Sequence, residues 1–152
     1  MAYEWILLFE IPFIIGIILI ATQSGFFIPL PMETVRKMLR LANIRKNDVL
    51  YDLGCGDGRV IITAAKEYGI NAVGIENNWL LTWLCKNGIS RNKVSNKVKL
   101  VNDDLFKQDL SNASIVTVYL TQKLNDKLKS KLERELKKGT RVISASHVFK
   151  GW

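Results

Sequence analysis

One histidine, two cysteines and three prolines are all that 152 residues contain. Four Cys or His ligands cannot be assembled from that set, so a structural zinc site is excluded and no metal is expected. Cys55 and Cys85 have no ligand-spaced partners, and reduced thiols are the default in a cytoplasmic body. Basic residues are missing from residues 1–31, the first being Arg36. Without a positive n-region, and with no small-x-small site after the apolar run, a cleaved signal peptide is disfavoured. No internal repeat or low-complexity tract is present. With 48% hydrophobic and 24% charged residues, the chain is neither disordered nor collagen-like. Its length allows one domain.

What is present divides unevenly. Trp5 to Ala21 is an apolar run interrupted by Glu10 and Pro12. As a helix it spans about 25 Å, the short end of what crosses a bilayer. Glu10 lies near its end, where the carboxylate reaches the interface, and Pro12 kinks the helix or shortens the clean segment. Residues 1–22 are therefore expected to form a single-pass membrane anchor. The alternative is a helix buried against a partner or dimer mate. The whole chain carries +8, but both acids of residues 1–31, Glu4 and Glu10, fall in the leader, so +10 sits on the body. That asymmetry places the body on the cytoplasmic side.

Residues 23–31, with Gly25, Pro29 and Pro31, make a short linker that disfavours helix. Residues 32–152 then alternate. Helical spacing predicts helices over Met32–Ala42, Arg59–Tyr68, Asn78–Gly88 and Gln122–Lys138, the last closed by Gly139. Apolar runs predict strands at Asp48–Leu53, Asn71–Ile75, Lys97–Val101, Ser114–Leu120 and Thr140–Ser146. Strands joined by crossover helices imply an α/β, doubly wound, mostly parallel Rossmann-like sheet with helices on both faces. Ligands bind such sheets beyond the carboxyl ends of the strands, where strand order reverses.

Asp52-Leu53-Gly54-Cys55-Gly56-Asp57-Gly58 closes the first strand and opens a helix. A dinucleotide site expects Gly-x-Gly-x-x-Gly with pyrophosphate on the helix N-terminus. Here the glycines alternate as Gly-x-Gly-x-Gly, and Asp52 and Asp57 would repel a pyrophosphate. They suit a ligand with a cationic end, such as an ammonium or a sulfonium. Glu76 ends the second strand, where a carboxylate accepts ribose hydroxyls. Asp103 and Asp104 follow the third, where an acid reaches an adenine amino group.

This arrangement resembles the class I, seven-strand S-adenosylmethionine-dependent methyltransferases. The resemblance implies strand order 3-2-1-4-5, with further terminal strands that this sequence does not include. It implies that Asp52, Gly54, Gly56 and Gly58, with Asp57 beside them, hold the methionine part. Glu76 would hold the ribose and Asp104 the adenine, with Asp103 a near alternative. A narrower likeness lies in Pro29-Leu30-Pro31, Val35-Arg36-Lys37-Met38-Leu39, Tyr51 to Arg59, Leu132 to Val142 and Gly151-Trp152. It is similar to the archaeal protein lysine methyltransferases and their membrane-anchored relatives, which act on the c-ring protein of mitochondrial ATP synthase or on the adenine nucleotide carrier. The implied acceptor is a protein lysine. The fifth strand is then a sheet edge that a partner or dimer mate would cover.

Base-methylating members of the superfamily carry Asn/Asp-Pro-Pro-Tyr/Phe after the fourth strand. Here the stretch is Val118-Tyr119-Leu120-Thr121-Gln122, which disfavours a nucleic-acid base as acceptor, while the basic body keeps nucleic acid open. Tyr119 is the candidate catalytic residue, as a gate or amine contact. His147 is expected to pack or lie at the surface rather than act as a base. Trp79 and Trp83 are expected in the helix–sheet core, with Trp79 alternatively flanking the adenine. The lysines of the Gln122–Lys138 helix are expected on a solvated outer face.

Overall fold

A computed structural model describes residues 27–152. The expected anchor at 1–22 and the start of the linker lie outside the described residues. Among the described residues, no helix is long and apolar enough to cross a membrane.

Five short strands carry the apolar pattern: β1 (Val49–Leu53), β2 (Asn71–Ile75), β3 (Val98–Val101), β4 (Ile115–Val118) and β5 (Arg141–Ser144). Side chains alternate across each strand, so each strand feeds two cores. Leu50, Ala72, Val98 and Ile115 face one side, and Leu53, Ile75, Val116 and Val118 face the other. Helices α1 (Met32–Leu41), α2 (Arg59–Tyr68) and α3 (Trp79–Arg91) cover the first face. They contribute Val35, Met38, Leu39, Ile61, Ala64, Ala65, Cys85 and Ile89. Helix α4 (Gln122–Glu135) covers the second with Leu128 and Leu132.

The sheet order is β3-β2-β1-β4-β5, and every pair is parallel. This is the expected order. β1 lies between β2 and β4, so the direction of winding reverses there and a crevice opens beyond the strand ends.

Several boundaries move from their expected places. Helix α3 runs through Gly88 to Arg91. A Cβ on Gly88 would lie 2.9 Å from the Ile62 side chain, so the glycine permits close crossing of α2 and α3 rather than ending a helix. Helix α4 stops at Glu135, where Leu136 turns extended (ψ 138°) to enter the second core. Gly139 is therefore not its cap; at φ 94° it turns the chain further on, before β5. Lys131 is buried, not solvated. Its Nζ donates to the Gln108 carbonyl at 2.6 Å and pairs with Glu135 at 2.7 Å.

The chain beyond β5 folds back onto α4. Phe149 enters the second core and stacks on Trp152 with ring centroids 4.9 Å apart. Trp152 Nε1 donates to Glu133 at 2.9 Å, and Lys129 Nζ donates to the Lys150 carbonyl at 2.6 Å. β5 is half-buried along its length, and among the described residues it pairs with β4 alone.

At the opposite end of the sheet, Asp48 is a buried clamp. It accepts from Arg141 at 2.5 Å, Ser114 Oγ at 2.8 Å and the Arg45 N–H at 2.6 Å. Burial alone would raise its pKa, but these donors outweigh it and hold the carboxyl below the usual range. Its stabilisation is therefore present above the unfolded pKa and is lost as pH falls through the lower folded value. Arg141→Ala leaves the buried carboxylate without its cation, and urea denaturation should show a loss of about 1–3 kcal/mol at neutral pH. That deficit should shrink as the pH falls below the folded pKa of Asp48.

Candidate active site

A cavity of about 390 Å³ occupies the crevice at the carboxyl ends of the strands. Its floor is the loop after β1. Successive amides tie that loop to the end of β2: Gly54 and Cys55 N–H donate to the Ile75 carbonyl at 2.9 and 3.0 Å, and Gly56 N–H donates to Glu76 at 3.0 Å. Two glycines are required by what surrounds them. Gly56 has φ 56°, and a Cβ there would lie 2.5 Å from the Phe27 ring. Gly58 is the N-cap of α2 at φ 83°, and a Cβ there would collide with Cys85 Sγ.

The acids converge as the sequence implied. Asp52, Asp57, Glu76, Asp103 and Asp104 all line the cavity. Asp52 and Glu76 are buried, at 5% and 8% exposure. Thr117 Oγ1, across the β1–β4 pairing, donates to Asp52 at 2.7 Å. Burial pushes the Asp52 pKa up to about 7; the Thr117 hydrogen bond opposes this, and the charges of Glu76 and Asp57 add to the rise. Glu76 accepts from two amides, Gly56 through Oε2 and Asn78 through Oε1 at 2.9 Å. An ionised carboxylate offers about four lone-pair sites, so both oxygens retain capacity toward a ligand.

The remaining acids differ in what occupies them. Asp57 is paired with Arg59 at 2.5 Å, and the same guanidinium donates to the Leu30 carbonyl at 2.6 Å. Asp103 accepts through both oxygens, from the Asp104 N–H at 2.7 Å and from Gln108 at 2.8 Å. Asp104 caps a single 3-10 turn, Leu105–Lys107, through Oδ1, so its Oδ2 is the better placed of the pair to accept from a ligand. Arg59 is the cavity's single Lys or Arg among the described residues, and it is already matched to Asp57. The lining is thus anionic inside a protein of net charge +8.

The far wall comes from the segment between β4 and α4, from α4 and from the turn after β5: Tyr119, Leu120, Thr121, Leu124, Ser146 and His147. Tyr119 is half-buried and packs against the first core. His147 is exposed at the rim, following Ser146 at φ 70°. The turn is held by Asn125, a fully buried residue whose Nδ2 donates to the His147 carbonyl at 3.2 Å and to Ser144 Oγ at 3.1 Å.

Trp79 and Trp83 are neither in the core nor against the cavity. They are 67% and 57% exposed, because α3 turns Cys85 and Ile89 inward and Leu81 toward the cavity. The lining also includes Phe27, Ile28 and Leu30, which sequence reasoning missed, though the proline-held extension that brings them there is legible. Thr117 is a second omission; its signal is a lone hydroxyl in an otherwise apolar buried strand. Cys55 and Cys85 are buried free thiols in contact, and that contact, burial and the nearby acids raise the Cys55 pKa, which disfavours its thiolate. Gly58→Ala is expected to destabilise the fold by about 2–4 kcal/mol, combining left-handed strain with overpacking against Cys85. Thermal or urea unfolding checks it.

Comparison with known proteins converges on one family. The model of the ANTKMT methyltransferase domain matches residues 52–152. The chain is 43% identical over 127 residues to a protein-lysine N-methyltransferase of Saccharolobus islandicus, covering 83% of this chain and 79% of that protein. It is 35% identical over 104 residues to the mouse (Mus musculus) adenine nucleotide translocase lysine N-methyltransferase, covering 68% of this chain but less than half of the mouse protein's length, 45%. A solved structure described as an RNA methyltransferase from Salinibacter ruber, in complex with S-adenosyl-L-homocysteine, superposes with a TM-score of 0.81 at 39% identity, covering 82% of each chain. With the sheet order, the glycine loop and the strand-end acids already described, these matches establish that the chain belongs to the ANTKMT methyltransferase domain family.

Proposed function

We propose that this chain transfers a methyl group from S-adenosylmethionine to the ε-amine of a lysine in a protein. The observation that carries this reading is the anionic cavity at the β1–β4 switch point, set in a basic protein of this family. Its residues fit the cofactor. Asp52, a buried carboxylate with no ion pair among the described residues, suits the ammonium or sulfonium end, and Glu76 suits vicinal ribose hydroxyls. Gly54 and Gly56 present their backbone in the cavity lining, Gly58 turns the chain into α2, and Asp104, with Asp103 beside it, suits the adenine amino group. When bound, S-adenosylmethionine supplies a methyl group already activated by the sulfonium.

The chain's own residues then have positioning work. Thr117 orients the Asp52 carboxylate, and Glu76 fixes the loop against β2. Leu120, Leu124 and the half-buried Tyr119 form a largely apolar approach for the acceptor. A lysine in water has a pKa of about 10.4, and desolvation along such a wall lowers it toward the neutral, nucleophilic amine. Tyr119 is assigned the amine contact; His147 lies at the rim, where a released proton reaches water.

Within this reading, residues 1–22 anchor the protein in a membrane, 23–31 link, and 32–152 form the methyltransferase domain with its body on the cytoplasmic side. The basis is the apolar run and the charge split of the sequence. A partner or second copy on β5 would cover the half-buried edge. One observation favours a second reading, an RNA acceptor: the likeness to the Salinibacter structure so described. Incubation of membrane proteins and of RNA with labelled S-adenosylmethionine separates the two. Label on lysine, resistant to nuclease, is expected; nuclease-sensitive label would replace this proposal with the second.

The raised pKa of Asp52 has a consequence for binding. A cationic ligand favours the carboxylate, so binding releases a proton below about pH 7. Calorimetry should find S-adenosylmethionine affinity rising about tenfold from pH 5.5 to 7, and that rise should vanish in Asp52→Asn. Glu76→Ala should weaken cofactor binding by about 1–3 kcal/mol through lost hydrogen bonds to a charged group.

A further inference from the structure

Helix α3 is apolar on two faces. Cys85 and Ile89 point into the core, while Trp79, Trp83 and Leu84 are exposed. Spacings of four and three residues align Trp79, Trp83 and Lys86 in one row; Leu84 and Arg91, seven residues apart, form a second row about 100° further round the outer surface. A helix on the surface of a soluble domain normally has one apolar stripe, facing the core. An additional outward patch of large side chains marks a contact surface.

The charge around this patch has a single sign. From Asn77 to Val101 the sequence contains Lys86, Arg91, Lys93, Lys97 and Lys99 and no acid. Lys86, Arg91, Lys93 and Lys99 are exposed, and Lys97 is half-buried. Lysine is depleted at protein–protein interfaces, whereas tryptophan over a lysine-rich rim is the pattern of helices lying at a bilayer surface. Anionic headgroups complement such a rim. The patch also adjoins the cavity. Asn77 and Leu81 line it, and so do the exposed apolar residues Phe27, Ile28 and Phe106.

We propose that the outer face of α3 is a membrane-contact element. Trp79, Trp83 and Leu84 insert at the headgroup level of an anionic bilayer, and Lys86 and Arg91 meet the lipid phosphates. The cavity mouth then opens beside the membrane, where a lysine of a membrane-embedded protein is presented. The contact stands on α3 itself and does not require that residues 1–22 span the bilayer.

The test uses the full chain with Trp5→Phe and Trp152→Phe, which leaves Trp79 and Trp83 as the emitting tryptophans. Phosphatidylcholine vesicles with and without phosphatidylserine, carrying brominated acyl chains, are added. Flotation reports attachment by any part of the chain, and quenching reports contact by α3. A blue shift with roughly twofold or greater quenching is expected on the phosphatidylserine vesicles. Lys86→Gln with Arg91→Gln should reduce that quenching while flotation and S-adenosylmethionine binding stay unchanged. Flotation without quenching would overturn the proposal and leave anchoring by the leader intact. Emission already shifted before vesicles are added would overturn it by showing the face covered within the chain. Contact that develops solely on adding a soluble protein would overturn it in favour of a protein partner.

Discussion

The Glu76 carboxylate accepts one amide from the loop after β1 and one from the start of α3. Through the first it sets the height of Gly56, the middle of the cavity floor. Through the second it fixes where α3 begins and therefore which residues face the cavity. The Ile75 carbonyl immediately before it takes the two preceding loop amides. Three successive backbone donors are thus satisfied at the end of one strand, where an unpaired buried N–H would be costly. Helix α2 departs from this fixed loop at Gly58, so the packing of Cys55 against Cys85 follows from the same anchor.

This anchor sits in an electrostatic setting opposite to that of the rest of the molecule. The outer surface is basic, yet the crevice gathers five acids and one arginine that is already paired. Burial of Asp52 disfavours its charge until a cation arrives, so the site discriminates by sign before it discriminates by shape. A pyrophosphate would meet repulsion where a sulfonium or ammonium meets its counterion. The same glycine-rich, strand-end architecture serves both ligand types, and the acids in it decide between them.

Much of this is legible in the residues. Alternating apolar runs locate all five strands, and the acids at their ends are assigned to one cavity that does contain them. The misplacements share a cause. Gly88 and Gly139 look alike as helix breakers, and what separates them is Ile62 packed against one and open space around the other. Lys131 looks like its solvated neighbours until Gln108 and Glu135 surround its ammonium. Trp79 and Trp83 look like core by composition, but the phase of α3 is set by Cys85 and Ile89. Each of these depends on contacts formed in the folded chain, which local spacing does not encode.

Arg59 joins two parts of the molecule that differ in role. Its guanidinium holds the Leu30 carbonyl and the Asp57 carboxylate together, while the Phe27 ring rests over Gly56. The stretch leading into the domain therefore bears on the glycine loop through one cation and one ring. Mechanically, this makes residues 27–31 a lever: a pull on the chain ahead of Phe27 is transmitted to the loop that forms the cavity floor, so displacement of this stretch and occupancy of the cavity act on the same few atoms.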